Sequence, residues 1–365
     1  MRIAFLTPEI DPTYGWARYA HDLAAALTAQ GVEVVAVTQR GARSGPEGVE
    51  IRDALPQLVP PVRFFLPRLL GSLPAARAAI QGCDLVHVVA EPYAPLGAWI
   101  AGKRPLVVTA HGTYVPQTVR RRGVGALYRR AYRHAHLIAV SDYTAGQVRA
   151  ALPGADVTAI RNGVHFARFQ SPAPAPDIRG PTILASGGVK PRKGTRLLVE
   201  ALAQVRTVIP DARLVVTGRH DAAYADQIRA RIAALGLDDA VDLPGQIPEE
   251  ALLGWYQGAD VFALPSLSVG DRFEGFGLVF LEASAAGLPV VGTRGSGVEE
   301  AVIEGETGLL VPQDDASALA DAITRLLSDA DLRTQMGAAG RRYAQTQDWS
   351  AVAERVRALY ARCLP

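Results

Sequence analysis

Short apolar runs rich in Val, Ile and Leu recur along this chain, separated by stretches of helix-forming residues. Runs of this length without polar alternation suit strands buried on both faces, the situation of a parallel sheet covered by helices. The first occupies 2–7 and meets Pro8, and a glycine-containing turn follows over 14–19. An Ala/Leu helix over 20–30 is stopped by Gly31, and 32–38 is the next strand. Further strands fall at 84–90, 105–110, 137–141 and 157–160. Strand, helix and strand in succession predict an α/β chain with doubly wound parallel sheets.

The rhythm breaks once. Residues 171–181 read Ser-Pro-Ala-Pro-Ala-Pro-Asp-Ile-Arg-Gly-Pro, punctuation that suits a semi-rigid linker. It then restarts with strands at 182–186, 213–217, 240–243 and 260–264 and helices at 194–208, 221–235 and 249–258. A chain of 365 residues is long enough for two domains. The expected boundaries are 1–170, a linker at 171–181, and 182–348. Ligands of such folds bind beyond the carboxyl ends of the strands, so the crevice between two facing domains is the default site.

Charge is unevenly divided. Residues 1–170 hold 19 basic and 11 acidic side chains, and the remainder holds 19 and 25. With 49% hydrophobic and 20% charged residues the composition is that of an ordinary soluble protein. The apolar start at 1–6 is too short for a signal peptide, and no run elsewhere reaches the roughly 18 residues of a membrane span. Cys83 and Cys363 make neither a metal spacing nor a disulfide framework. These features predict a cytoplasmic protein whose membrane contact, if any, is peripheral.

The stretch 274–282, Glu-Gly-Phe-Gly-Leu-Val-Phe-Leu-Glu, carries the densest chemical signal. Gly275 and Gly277 allow a turn, and a helix is expected from about Gly277 to Ala286, stopped by Gly287. A helix start offers unpaired N–H groups to phosphate oxygens. Glu282 lies about 7 Å further along at about 1.5 Å per residue. Glu274 and Glu282 would then flank a bound diphosphate. On spacing alone the block equally fits a capped core helix with an acid at each end.

A second loop, 186–195, reads Ser-Gly-Gly-Val-Lys-Pro-Arg-Lys-Gly-Thr between a strand and a helix. Its glycines with Lys190, Arg192 and Lys193 make an anion cradle, or a basic solvated loop. Two of the chain's three lysines lie here. It is not a Walker loop, because no G-x-x-x-x-G-K-[ST] occurs.

Glu274 and Glu282 form an E-x7-E pattern, Pro265-Ser266 precedes it, and Gly-Leu-Pro-Val-Val and Glu-Thr-Gly-Leu-Leu-Val follow. In this compound pattern the chain resembles the retaining glycosyltransferases of family 4 over essentially its whole length, most strongly over 183–312. The resemblance implies a GT-B fold of two Rossmann-like domains facing an interdomain cleft, with a last helix at 349–365 returning to the first domain. It implies a nucleoside-diphosphate sugar as donor and an acceptor hydroxyl on a glycan, lipid or small molecule. Glu274 would orient sugar hydroxyls, Glu282 would hold ribose, and Lys193 would stabilise the diphosphate with the amides of Phe276, Gly277 and Leu278. With those groups in place no metal is required, and no other cofactor is expected. Gly188 stands where the family carries Arg, so Lys190 or Arg192 would supply charge there.

The resemblance places further residues. His111, ending a strand in Thr-Ala-His-Gly-Thr, would lie near the donor sugar and either hydrogen-bond to it or help with the proton; a capped, partly buried histidine is the alternative. Gly15 would approach donor phosphate or acceptor, with Tyr14 replacing the first glycine of a family pair. Arg18 and Tyr19 would touch the acceptor or pack at a helix start. Asn162-Gly163 is expected as a turn near the cleft. Backbone groups at Gln246 and Ile247 would meet the nucleobase. His87, His134 and His136 are expected to be structural. The only D-x-D, Asp329 to Asp331, is read as solvated surface. Arg120, Arg121, Arg122, Arg129, Arg130 and Arg133 interleave with Val124, Leu127, Tyr128 and Tyr132. That stretch suits an anionic membrane, an anionic acceptor or a solvated face, and no nucleic-acid module accompanies it. A nucleotide-sugar epimerase and a non-catalytic nucleotide-sugar-binding protein are the alternative functions.

Overall fold

A strand with two apolar faces needs parallel neighbours beside it and helices above and below. The computed structural model describes residues 1–11, 15–39, 41, 45–58 and 65–365. It divides into one unit of Met1–Asn162 with Trp349–Pro365 and a second of Gly163–Asp348. The first unit holds β1 (Arg2–Leu6), β2 (Glu33–Gln39), β3 (Glu50–Leu55), β4 (Leu85–Val88), β5 (Leu106–Ala110), β6 (His136–Ala139) and β7 (Val157–Ala159). Their order is β3-β2-β1-β4-β5-β6-β7, parallel throughout. The second unit holds β8 (Thr182–Ser186), β9 (Arg213–Thr217), β10 (Val241–Gly245), β11 (Val261–Ala263), β12 (Val290–Thr293) and β13 (Gly308–Val311). Their order is β10-β9-β8-β11-β12-β13, again parallel. The winding direction reverses beside β1 and beside β8, the two switch points at which α/β sheets bind ligands.

Three strands lie where none was expected. β3 is an edge strand whose polar residues are spent on pairs: Arg2 Nη2 meets Glu50 Oε2 at 2.5 Å, and Thr38 Oγ1 donates to Asp53 Oδ1 at 2.9 Å. β12 and β13 are only four residues each, yet all eight residues are buried. β10 runs past 243 to Gly245 and carries Pro244, which an edge strand tolerates.

The expected linker is also corrected. Residues 171–181 belong to the second unit, and the division falls at 162/163 and 348/349. The proline run is fixed along the helix Glu249–Gly258: Ala173 N donates to Gln257 Oε1 at 3.1 Å, and Gln257 Nε2 donates to Ser171 O at 2.7 Å. Val164 N donates to Gln347 O at 3.0 Å, so the chain enters and leaves this unit side by side.

The helix Trp349–Cys363 packs on the helix Gly15–Ala29, with the Trp349 and Tyr19 rings 5.4 Å apart. The latter helix begins at Gly15, so the turn expected over 14–19 is mostly helical, and Tyr14 lies outside the described residues. Tyr19 is buried against His111, which fits the packing alternative expected for it. Arg18 lies 3.8 Å from Asp22 one turn on.

His87 joins β4 to the last helix. Its Nδ1 is 2.6 Å from Tyr360 Oη, and its Nε2 is 2.7 Å from Thr109 Oγ1. Burial, with a smaller push from His111, lowers its pKa to about 3. An unfolded histidine takes its proton near pH 6.5, so below that pH the unfolded chain binds more protons than the folded one. The stability this neutral ring protects is therefore present above pH 6.5 and is lost as pH falls toward 3, at about 1.4 kcal/mol per pH unit. In calorimetric scans between pH 7 and 4, His87→Gln would show a flatter fall of melting temperature than wild type. Parallel curves would remove His87 from the acid response.

Candidate functional site

At the carboxyl edge of the second sheet, β8 ends at Ser186 and its loop turns through Gly187 and Gly188 into a tight turn, Pro191–Lys193, before the helix Thr195–Val205. The loop after β11 is bonded to it, because Leu267 N donates to Arg192 O at 2.8 Å. Into this corner comes Glu274. Its Oε2 is 2.7 Å from Lys193 Nζ and 3.2 Å from Arg192 Nη1. The Glu274 side chain is 16% exposed and that of Lys193 14%.

Burial alone would raise the Glu274 carboxyl, but the Lys193 ammonium and Arg192 guanidinium outweigh it and hold the pKa at about 2. The group is therefore anionic at any working pH. It can accept hydrogen bonds and offset positive charge, but it cannot act as a proton donor. Lys190 lies in the same loop, and partial withdrawal of its ammonium from solvent, with the charges of Lys193, Arg219 and Arg192, lowers its pKa.

The backbone of this segment is clamped from the far side. Gly297 N donates to Glu274 O at 2.9 Å, and a Cβ at Gly297 would stand 2.0 Å from Gly275 O. Thr293 Oγ1 donates to Ser266 O at 2.5 Å. Phe276 is buried, which anchors the loop, and Gly277 precedes the helix Leu278–Ala286. No side chain caps the start of that helix, and it ends at Gly287. Glu282 is buried inside it and accepts from Tyr256 Oη at 3.0 Å. Gln246 and Ile247 follow β10, whose last carbonyl, Gly245 O, accepts from Gly218 N at 2.8 Å.

The structure thus brings Glu274, Lys193 and Arg192 into contact and places Lys190 and Gly188 on the same loop. Gly15 and His111 belong to the first unit. There Glu91, 1% exposed, joins their loops: Trp16 Nε1 donates to Oε2 at 2.6 Å, and His111 N donates to Oε1 at 2.7 Å. His111 Nε2 lies 2.8 Å from Val89 O. A carbonyl only accepts, so Nε2 carries the hydrogen, and in the neutral ring Nδ1 is the atom left to accept a ligand hydroxyl. Asp329 caps the helix Ala330–Thr346 through Leu332 N at 2.9 Å, which gives the D-x-D a structural task. His136 pairs with Asp156 at 2.7 Å and Thr158 at 2.9 Å. Sequence reasoning missed Glu91, Tyr256 and Gly297. A lone Glu beside Pro92 and a Tyr in an ordinary helix carry no motif. Gly297 sits in Arg-Gly-Ser-Gly directly after a strand, which was a readable signal.

Comparisons with known proteins bear on the family and the fold. A family model described as Glycosyltransferase Family 4 matches residues 14–168, and one described as Glycosyl transferases group 1 matches 168–343. The chain is 33% identical to a GDP-mannose-dependent alpha-(1-6)-phosphatidylinositol monomannoside mannosyltransferase of Mycolicibacterium smegmatis, over 84% of this chain and 81% of the relative. It is 32% identical to a D-inositol 3-phosphate glycosyltransferase of an Arthrobacter species, over 96% and 93%. Among solved structures, sucrose-phosphate synthase of Thermosynechococcus elongatus superposes with a TM-score of 0.78 at 26% identity, covering 99% and 98% of the two chains. Anabaena HepE in complex with UDP superposes at 0.80 with 20% identity, covering 99% and 100%, a likeness of fold.

Replacing Glu274 by Gln would remove the anion that Lys193 and Arg192 share. The pair's contribution is present above pH 4.5 and lost as pH falls through about 2. At neutral pH the variant would lose about 1–3 kcal/mol of stability. Its freed cations would bind inorganic pyrophosphate at least as tightly as wild type. Tenfold weaker pyrophosphate binding in titration calorimetry would refute the competition between carboxylate and phosphate.

Proposed function

The chain belongs to glycosyltransferase family 4, and from that premise we propose that it is a retaining, metal-independent enzyme transferring a hexose from a nucleoside-diphosphate sugar to a hydroxyl of a phosphate-bearing acceptor. The observation that carries this reading is the contact of Glu274 with Lys193 and Arg192 at the switch point of the second sheet. Breaking the sugar–phosphate bond sends its electron pair to the diphosphate. Cations already fixed at that place stabilise the departing charge more in the transition state than in the ground state. Glu274, permanently anionic, accepts hydrogen bonds from the sugar and offsets the positive charge growing on its ring. The acceptor oxygen bonds on the face the diphosphate leaves, and its proton passes to that leaving group. His111 holds a sugar hydroxyl through Nδ1, and Glu282 takes a ribose hydroxyl.

The relatives point to the substrates. One is GDP-mannose-dependent, and the names of both contain a phosphoinositol acceptor. The first unit suits a phosphate-bearing acceptor. Arg120, Arg121, Arg122, Arg130 and Arg133 are exposed on it, while Arg129 is turned inward to the carbonyl of Val119. Beside them Leu66 and Leu70 are 46% and 49% exposed on the helix Phe65–Ala79, whose Phe65 ring meets Tyr128 at 6.1 Å. Basic and apolar residues side by side fit peripheral contact with an anionic bilayer, at about 1 kcal/mol per basic residue. Among the described residues no helix is long and apolar enough to cross a membrane.

The test is incubation with GDP-mannose, and with UDP-glucose as competitor, in the presence of phosphatidylinositol vesicles or inositol phosphate. The expected product keeps the donor's anomeric configuration by NMR, forms in EDTA, and drops about 100-fold or more in Glu274→Gln. Isomerised donor without transfer would establish an epimerase, and bound but unchanged donor a sensor. In flotation assays Arg130→Glu with Arg133→Glu would weaken binding to phosphatidylserine vesicles; equal flotation would remove this surface from membrane contact.

A further inference from the structure

Glycosyltransferases of this family are expected to carry Arg where this chain has Gly188, and the structure shows why no side chain can stand there. Gly188 has φ +77°, and a Cβ on it would lie 2.0 Å from the carbonyl oxygen of Arg219. In return, a Cβ on Gly218 would lie 2.7 Å from Gly188 N. The loops leaving β8 and β9 therefore meet backbone to backbone. Gly188 N donates to Thr217 O at 2.8 Å, Asp221 N to Val189 O at 3.0 Å, and Val189 N to His220 Nδ1 at 3.0 Å. The space that an arginine at 188 would start from is filled by the backbone of another arginine.

Arg219 is exposed, and among the described residues its side chain has no hydrogen bond or ion pair; the same holds for Lys190. The neighbouring arginines are committed. Arg192 holds Glu274, Arg213 holds Asp242 at 3.0 Å, and Arg196 holds Glu200 and Asp314 at 2.8 and 3.2 Å. His220 adds a donor: its Nδ1 accepts from Val189, so in the neutral ring Nε2 carries the hydrogen, and that buried atom has no partner. An unpaired guanidinium, an unpaired ammonium and an unanswered N–H around one glycine turn are an arrangement that an anion would complete.

We propose that Arg219, reaching over from the next loop, replaces the side chain missing at Gly188 and binds the diphosphate of the donor together with Lys190 and Lys193. The inference rests on the donor proposed above. It also accounts for how a loop with glycine in place of arginine directly after Gly187, and with Arg192 held by Glu274, still meets a doubly charged leaving group. A guanidinium offers a planar fork to phosphate oxygens, which neither lysine of the loop can supply.

The experiment is titration calorimetry of GDP and UDP, with guanosine and uridine as phosphate-free probes, against wild type, Arg219→Ala, Arg219→Lys and the surface control Arg229→Ala, whose arginine pairs with Asp226. Arg219→Ala is expected to weaken binding of the preferred diphosphate about tenfold or more, which is ~1.4 kcal/mol. It would leave nucleoside binding and melting temperature unchanged, and it would lower kcat for transfer. Arg219→Lys would fall between, and Arg229→Ala would match wild type. Arg219→Ala binding the diphosphate like wild type, or losing nucleoside and diphosphate equally, overturns the role of Arg219 while the proposed donor stands. Wild type binding neither diphosphate overturns the donor and this inference together.

Discussion

Every strand in both sheets runs the same way, so all the loops that leave strand ends for helices gather at one edge of each sheet. That constraint arranges everything else of functional interest. The loops after β8, β9, β10, β11 and β12 come from five separated parts of the chain, yet each is hydrogen-bonded to a neighbour. Leu267 N meets Arg192 O, Gly218 N meets Gly245 O, and Gly297 N meets Glu274 O. Loops tied in this way hold charged side chains in place without relying on the side chains themselves, which is what preorganisation requires.

Held there, cations outnumber their partners. Lys190, Arg192, Lys193 and Arg219 crowd the ends of β8 and β9, and Glu274 is the acid that meets two of them. Crowding like charges costs free energy, and an anionic ligand relieves it. A diphosphate brings that charge and also supplies the oxygen acceptors. Glu274 keeps Lys193 and Arg192 oriented.

How far the residues alone could be read follows from what each signal depends on. The longer buried strands announce themselves by unbroken Val and Ile, and the helix after Gly277 by its glycine stop, so these were legible; β12 and β13, four residues each with a glycine in each, were too short to show. β3 was not legible either, because an edge strand needs only one neighbour and its charged residues look like a loop. The Pro/Ala stretch looked like a linker because composition reports stiffness and not contact; only the partner surface on Gln257 fixes it to the second unit. Within the site, Lys193 with Glu274 was expected as two separate roles, and their direct contact was not, since residues 81 apart in sequence reveal no pairing. Arg219 was invisible for the same reason: its importance comes from the backbone it sits on.

Two glutamates at the carboxyl edges show how environment divides one residue type into two tasks. Glu91 and Glu274 are both withdrawn from solvent and both accept close hydrogen bonds. Glu91 is met by N–H dipoles from Trp16 and His111, and burial wins, so its pKa is raised. Glu274 is met by full cations, and they win, so its pKa falls to about 2. Dipoles fix direction without supplying net charge, so Glu91 serves to hold the Trp16 helix start and the His111 strand end in one arrangement. Cations fix direction and charge together, so Glu274 stays ionised. The difference lies in the neighbours each carboxylate is given, dipoles in one case and full cations in the other.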